Sequence, residues 1–373
     1  MKLLITSVGS LVGQSILDVP ECPGRSRRAL VTVIGTNSLA EAANNFRCDR
    51  CYLVPQTADA SFAGRIREIL TAESPDLILC GRDEDTLALS RLKAENPKLP
   101  GVLPIGKPGA ALIGLDKWQT WLFTRKHGLP MAETFMPGAS GDDAALERFC
   151  RTFGYPLIAK PARGFASIGV QFVRDADDLR QVLQRDGYLL QEYLGDPEAL
   201  QAYFAALRGL PPLFAQAPNA DQYSCMAVIS PMGEVGPLLC TWHRMDYGVS
   251  TRYERVSDPS LHQVADAYMR ALAAEGVAGP VNMNLRRDRH GAYKVVEINL
   301  RNTGATYPRF LMGLDEIHLI ALAFVPDLDF PAVDLAQADR PDRISRYYSA
   351  GPINEERVAS LARTGSWSRP APQ

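Results

Sequence analysis

Residues 295–304, VVEINLRNTG, set a carboxylate, a carboxamide and a guanidinium at every second position: Glu297, Asn299 and Arg301. The β-branched lead-in predicts a strand, where alternate side chains share a face, and Ile298 and Leu300 then take the other. Just upstream, GPVNMNLRRDRHGAYK reads as the first strand of a hairpin turning at Arg289, His290 and Gly291, which lays Asn282 and Asn284 alongside. Oxygen donors of this kind suit hard divalent cations, and Mg2+ commonly takes few protein groups while phosphates and waters fill its shell. Glu297, Asn299 and Asn284 are therefore candidate metal ligands, with Arg301 extending the same face toward a phosphate. A surface salt-bridge ladder is the bland alternative, and it leaves Asn299 unexplained.

Two lysines carry the next signal. PLIAK reads as a strand ending in Lys160, RGFASIG as a loop with glycines at both ends, and VQFV as the returning strand. A lysine at the mouth of such a loop suits phosphate, because backbone N–H groups and Ser167 can approach the oxygens that Lys160 neutralises. An ordinary glycine hairpin is an equal alternative. Residues 116–128, DKWQTWLFTRKHG, predict a helix capped by Asp116 and ended by Gly128. Lys117 then sits in the first turn, the wrong end for a cation facing the macrodipole. A nearby anion would explain it, although a solvated lysine costs little.

Further candidates are softer. RDED, residues 82–85, follows a strand at the carboxyl end where open α/β sheets gather ligands, so Asp83, Glu84 and Asp85 either face a substrate cleft or are a solvated helix start. Arg244, Arg252, Arg301 and Arg309 flank the proposed site, and arginines clamp carboxylates bidentately. His243 is either a polar acceptor contact or general base or, more simply, a hydrogen-bonded structural histidine.

The rest of the chain must position these groups. With 373 residues, two or three lobes are expected. Forty basic and 42 acidic residues leave a net charge of −2, with no electrostatic footprint for nucleic acid or anionic lipid. The opening MKLLITSVGSLVGQSIL is broken by Ser7, Gly9, Ser10, Gly13 and Gln14 before it resembles a signal peptide or a membrane span. Seven scattered cysteines fit reduced thiols and a cytoplasmic location, and Cys48-x-x-Cys51 lacks a second pair for zinc. There is no GxSxG elbow and no convincing Cys–His pair.

The first hundred residues alternate strand and helix signals: KLLITSV, a helix over 11–18, LVTVIGT, ASFAGRIREILTAE and DLILCG. They predict a small parallel sheet with crossover helices. GSLVG is an incomplete dinucleotide fingerprint and Asn37 stands where the ribose acid is expected, which argues against a nicotinamide enzyme. Prolines and glycines over 97–109 mark a boundary. Four segments follow: 1–108, 109–190 with the phosphate loop, 191–325 with the metal strands, and 326–373 as a partly disordered extension whose last ten residues, TGSWSRPAPQ, are expected to be disordered.

Taken in order, DK at 116–117, PLIAKPARGFASIGV, LLQEYL, GPVNMN and EINLRNTG resemble the ATP-grasp ligases, especially the amino-acid and peptide ligase and carbamoyl-phosphate-synthetase-like branch. The resemblance spans residues 1 to about 320 and is specific as an ordered set. It implies a mixed α/β and α+β chain: an ATP-grasp fold preceded by a Rossmann-like parallel-sheet domain, through which relatives often dimerise. It further implies that Lys117 and Lys160 contact ATP phosphates under a loop from Arg163 and Gly164 through Ser167 to Gly169. Glu192, Tyr193 and Leu194 form the adenine hinge, and Glu297, Asn299 and Asn284 hold Mg2+ or Mn2+. Arg301 and Arg309 steady the transferred phosphoryl group or a substrate carboxylate. Two features depart from the family pattern. The ribose acid is displaced by some 25 residues, leaving Asp221 or Gln222, and Asn284 stands where relatives usually carry Gln, Glu or Asp. The implied activity is ATP-dependent joining of a small-molecule carboxylate to an amine through an acyl phosphate. A carboxylase or carbamate-forming enzyme and a non-catalytic nucleotide sensor are the alternatives.

Overall fold

The computed structural model describes residues 1–164, 168–207, 221–328, 330–333, 340–347 and 351–370. Its first unit comprises β1 (Lys2–Ile5), α1 (Leu11–Asp18), β2 (Thr32–Asn37), β3 (Arg50–Leu53), α2 (Phe62–Glu73), β4 (Leu77–Leu79) and α3 (Asp83–Glu95). The four strands are parallel in the order β3-β2-β1-β4. Helices cover both faces of such a sheet, so β1 and β4 read as continuous apolar runs. β3 escapes the sequence reading because RCYL is too short to show a period.

α4 (Pro108–Leu115) and α5 (Lys117–His127) lead into the second unit. Asp116 caps α5 by accepting from the Trp118 and Gln119 amides, and Gly128 ends it at φ 64°. β5 (Thr134–Phe135), α6 (Asp143–Phe153), β6 (Leu157–Pro161), β7 (Gln171–Val173), α7 (Ala176–Leu183) and β8 (Tyr188–Glu192) make a small lobe with sheet order β5-β8-β6-β7.

A larger lobe follows: α8 (Pro197–Leu207), β9 (Gln222–Ile229), β10 (Leu239–Asp246), β11 (Val249–Arg255), α9 (Pro259–Ala274), β12 (Gly279–Arg287) and β13 (Tyr293–Asn299). Its antiparallel sheet buries one face against α9, where Leu261, Ala265, Tyr268 and Met269 meet Cys225, Ala227, Met283 and Ile298. By strand alternation the other face is left to Ser224, His243, Asn282, Asn284 and Glu297. The hairpin predicted over 279–301 forms, with Asn284 paired to Glu297 and Asn282 to Asn299.

α10 (Thr306–Leu311) and α11 (Glu316–Phe324) precede β14 (Arg343–Ser345), which joins the edge of the large sheet beside β11. α12 (Glu355–Thr364) and β15 (Ser366–Ser368) then return to the first unit, where β15 pairs antiparallel with β3. The expectation of disorder over the last ten residues is corrected here for 364–370. Trp367 is only 9% exposed and meets Phe46 edge-on at 5.3 Å. SWS carries a single apolar residue, so its order depends on a hollow in a distant unit and leaves no local pattern. Trp367→Ala should destabilise the first unit by about 3 kcal/mol, the usual cost of emptying an aromatic site. Urea denaturation followed by circular dichroism measures it.

Candidate active site

The small and large sheets face one another across a cleft of about 360 Å³. Lys160, at the end of β6, is 7% exposed and donates to Gln191 Oε1 at 2.8 Å and to the Val296 carbonyl at 3.2 Å. Burial drives its pKa down to about 7 against the pull of Glu297, while Lys117 and Arg286 push it the same way as burial. Lys117 Nζ lies 3.9 Å from Glu297 Oε1 and donates to the Gly164 carbonyl at 3.0 Å. Its place at the start of α5, set by the Asp116 cap, now has an anion beside it. Arg163 Nε donates to the other oxygen of that cap at 2.9 Å, which ties the loop to α5. Gly169 has φ +78°, and a Cβ there would meet Tyr188 Oη at 2.7 Å, so the loop needs glycine at this turn. Ser167 lies outside the described residues.

An anion bound against Lys160 restores the charge that burial removes, which fixes a pH dependence. Below about pH 7 the amine is already charged, and above it a nucleotide bound there would have to take up a proton, so its affinity should fall as pH rises through about 7. Calorimetry at pH 8 in buffers of differing ionisation enthalpy should show uptake of about one proton per nucleotide, and Lys160→Met should abolish it.

The other end of the cleft is apolar. Ile158, Ile168, Val170, Phe172, Leu194, Met245 and Val296 line it. Ile168 is 63% exposed, a large apolar surface left open at the cleft. At the hinge, the Glu192 carboxylate turns to the Glu133 amide (2.8 Å) and to Lys294 (2.6 Å), leaving backbone groups for a ligand. The Tyr193 ring packs against Phe172 at 6.1 Å. Asp221 accepts from the Met245 amide at 3.0 Å, and it is Gln222 that lines the cleft.

On the face carrying the oxygen donors, Asn284 Nδ2 donates to Glu297 Oε2 at 3.3 Å, and Arg301 Nη2 donates to Asn299 Oδ1 at 3.2 Å. Arg301 also pairs with Asp83 at 2.5 Å, so the acidic run of the first unit reaches the segment just after β13. Asp85 instead accepts from Thr6, Ser7 and Thr57. Arg309 is fully buried, ion-paired to Glu316 at 2.6 Å and hydrogen-bonded to Asn282 and Thr303. Among the described residues no cluster of three or more His, Cys, Asp or Glu could hold a metal. The donor set is one carboxylate plus carboxamides, which fits a cation that brings phosphates and waters with it.

One reading changes, and the simpler of the two readings of His243 holds. Arg244 and Arg252 face each other across β10 and β11, on the side away from His243, and neither lines the cleft. His243 is a buried structural histidine held by Thr241 (2.8 Å) and Ser250 (3.1 Å), its pKa pushed down to about 3 by burial and by Arg309 and Arg346. Sequence reasoning missed Gln191, Arg286 and Phe172. Alternation along Asn282, Asn284 and Arg286 contained the signal for Arg286, whereas Gln191 was hidden inside an apolar strand.

Two facing sheets, with two lysines, a glycine loop and an acid–amide strand pair turned to the cleft between them, are the layout of the ATP-grasp fold. No family model matches the chain. It is 25% identical over 225 residues to the D-alanine–D-alanine ligase of Gloeobacter violaceus, covering 57% of this chain and 70% of that one. In fold it is similar to an L-amino acid ligase from Bacillus licheniformis, with 15% identity, a TM-score of 0.59 and coverage of 87% and 74% of the two chains. It is similar also to N5-carboxyaminoimidazole synthetase from Staphylococcus aureus complexed with ADP, with 11% identity, a TM-score of 0.62 and coverage of 87% and 76%. The chain has the ATP-grasp fold that these enzymes share. Among its described residues no helix is long and apolar enough to cross a membrane.

Proposed function

We propose that the chain is an ATP-dependent carboxylate–amine ligase acting on an amino acid or a comparable small carboxylate. The observation that carries this is the convergence of Lys117, Lys160 and Glu297 on one cleft, with Arg301 leading from it to Asp83. Adenine would lie among Ile158, Val170, Phe172 and Leu194 against the hinge backbone, with Gln222 and Asp221 near the ribose. Lys117 and Lys160 would take the phosphates beneath the loop from Arg163 and Gly164 to Gly169. Glu297 and Asn299, with Asn284 beside them, would hold Mg2+, which supplies charge stabilisation for the phosphoryl oxygens.

The substrate carboxylate attacks the γ-phosphorus, giving an acyl phosphate and ADP. The amine then attacks the acyl carbon and phosphate leaves, with loss of the amine proton. In such transfers the protein positions groups and stabilises charge and needs no nucleophile of its own. The small lobe and glycine loop would exclude water that would otherwise hydrolyse the acyl phosphate.

The test is ADP release from ATP and Mg2+ with pooled amino acids, small carboxylates and bicarbonate, with Glu297→Ala as control. Release that needs the amino-acid pool and Glu297 supports the ligase. Release that needs bicarbonate alone supports a carboxylase, and tight ATP binding with no release supports a nucleotide sensor.

A further inference from the structure

Five side chains form one unbroken line beneath the metal strand. Arg309 Nε donates to Glu316 Oε1 at 2.6 Å, and Arg309 Nη1 donates to Asn282 Oδ1 at 3.2 Å. Asn282 Nδ2 donates to Asn284 Oδ1 at 3.2 Å, and Asn284 Nδ2 donates to Glu297 Oε2 at 3.3 Å. The direction of this line is fixed by chemistry. A guanidinium has only donors, so the amide atom of Asn282 that faces Arg309 must be the oxygen, and Ser224 Oγ donates to the same oxygen at 2.7 Å. A flipped Asn282 would set NH2 against Nη1 with both residues buried, which costs about 1–3 kcal/mol for each group left unpaired. With Asn282 fixed, its NH2 faces Asn284, so Asn284 must offer oxygen there and NH2 to Glu297. Flipping Asn284 alone would oppose two NH2 groups at one end and an amide oxygen and a carboxylate at the other.

We propose that Asn284 is a positioning residue: it donates to Glu297 and gives no oxygen to the cation, an orientation imposed through Asn282 by the buried Arg309–Glu316 pair. The protein's ligands to the cation are then Glu297 and Asn299 alone. Arg309, expected to touch the phosphoryl group or a substrate carboxylate, acts instead through two amides. Its Nη2 is committed to Thr303 at 2.8 Å, and the second Glu316 oxygen holds Asn302 (2.7 Å) and Thr306 (2.8 Å), so the loop after β13 is fixed by the same pair. This rests on the reading that Glu297 binds a divalent cation.

The experiment uses the full chain labelled with 13C at the asparagine side-chain carbonyls, loaded with Mn2+ and ADP, and electron–nuclear double resonance to read carbons next to the metal. The wild type should show one strong coupling, which Asn299→Leu removes and Asn284→Leu leaves in place while weakening Mn2+ binding about tenfold, as loss of an orienting partner does. Asn282→Asp replaces the NH2 that Asn284 faces by an acceptor. It should turn the Asn284 amide over, add a second coupling and tighten Mn2+ binding. In Asn282→Asp/Asn284→Leu the second coupling should be gone. A coupling lost in Asn284→Leu, or none gained in Asn282→Asp, overturns the proposal while leaving the ligase reading intact. A wild-type chain that retains no Mn2+ with ADP overturns both.

Discussion

Glu297→Ala gives a folded chain whose substrate-dependent ADP release is at least about a thousandfold slower. The acids lining the cleft among the described residues are Glu297 and Glu192, and Glu192 is spent on Glu133 and Lys294. Removing Glu297 therefore removes the one ionised oxygen ligand available to a cation. Such an ion contributes several kcal/mol of charge stabilisation, and about 4 kcal/mol is a factor of roughly a thousand in rate. The loss compounds through the neighbours, because Lys117 loses its ion-pair partner and Asn284 its acceptor. Lys160 loses the one charge that raises its pKa and becomes a poorer phosphate ligand. The fold should persist, since the side chain is about one-third exposed at the cleft face. A coupled ADP assay and a thermal melt measure the two halves. A variant with normal melting that keeps more than a tenth of the wild-type rate removes Glu297 from the chemistry.

Lys160→Met should move binding and stability in opposite directions. A charge-assisted hydrogen bond contributes about 1.5–3 kcal/mol, so ATP affinity should fall by ten- to a hundredfold. The free protein should become more stable at pH 7. The amine titrates near 7 in the fold and near 10.5 when unfolded, so the unfolded chain binds more protons between those values and stability rises with pH across that window. At its lower end the fold bears a penalty of a few kcal/mol that methionine does not incur. Leaving Gln191 Oε1 without its donor takes back part of the gain. Calorimetric ATP binding and urea unfolding at pH 7 give both values. Unchanged affinity would place the phosphates elsewhere, and lowered stability would mean that the lysine is held charged by something other than nucleotide.

Much of this was legible without coordinates because local rules and tertiary demands agree. Asp116 and Gly128 bracket α5 by capping chemistry alone, and the position of Lys117 in its first turn left two readings open, a nearby anion or a solvated lysine. The alternation Glu297, Asn299, Arg301 and the turn at Gly291 placed the acid and amides on one face and paired their strand with Asn282 and Asn284. What failed was short or non-local. β3 has four residues, β15 three, and each forms because a sheet edge is waiting for it. Arg309 looks functional as a letter, and only its surroundings separate a buried ion pair from a cleft ligand.

By itself the sequence determined the order of the longer elements, the face carrying the oxygen donors and the places of the two lysines at a helix start and a strand end, since periodicity, capping and charge at a helix end act within a few residues. Tertiary structure alone decided which of those groups share a cleft, that burial lowers the Lys160 pKa, that Asp83 reaches Arg301 from another unit, and which way the Asn284 amide faces. Desolvation and hydrogen-bond direction depend on what surrounds a group in space. Here those surroundings come from residues more than 100 positions away for Lys160 and 218 for Asp83.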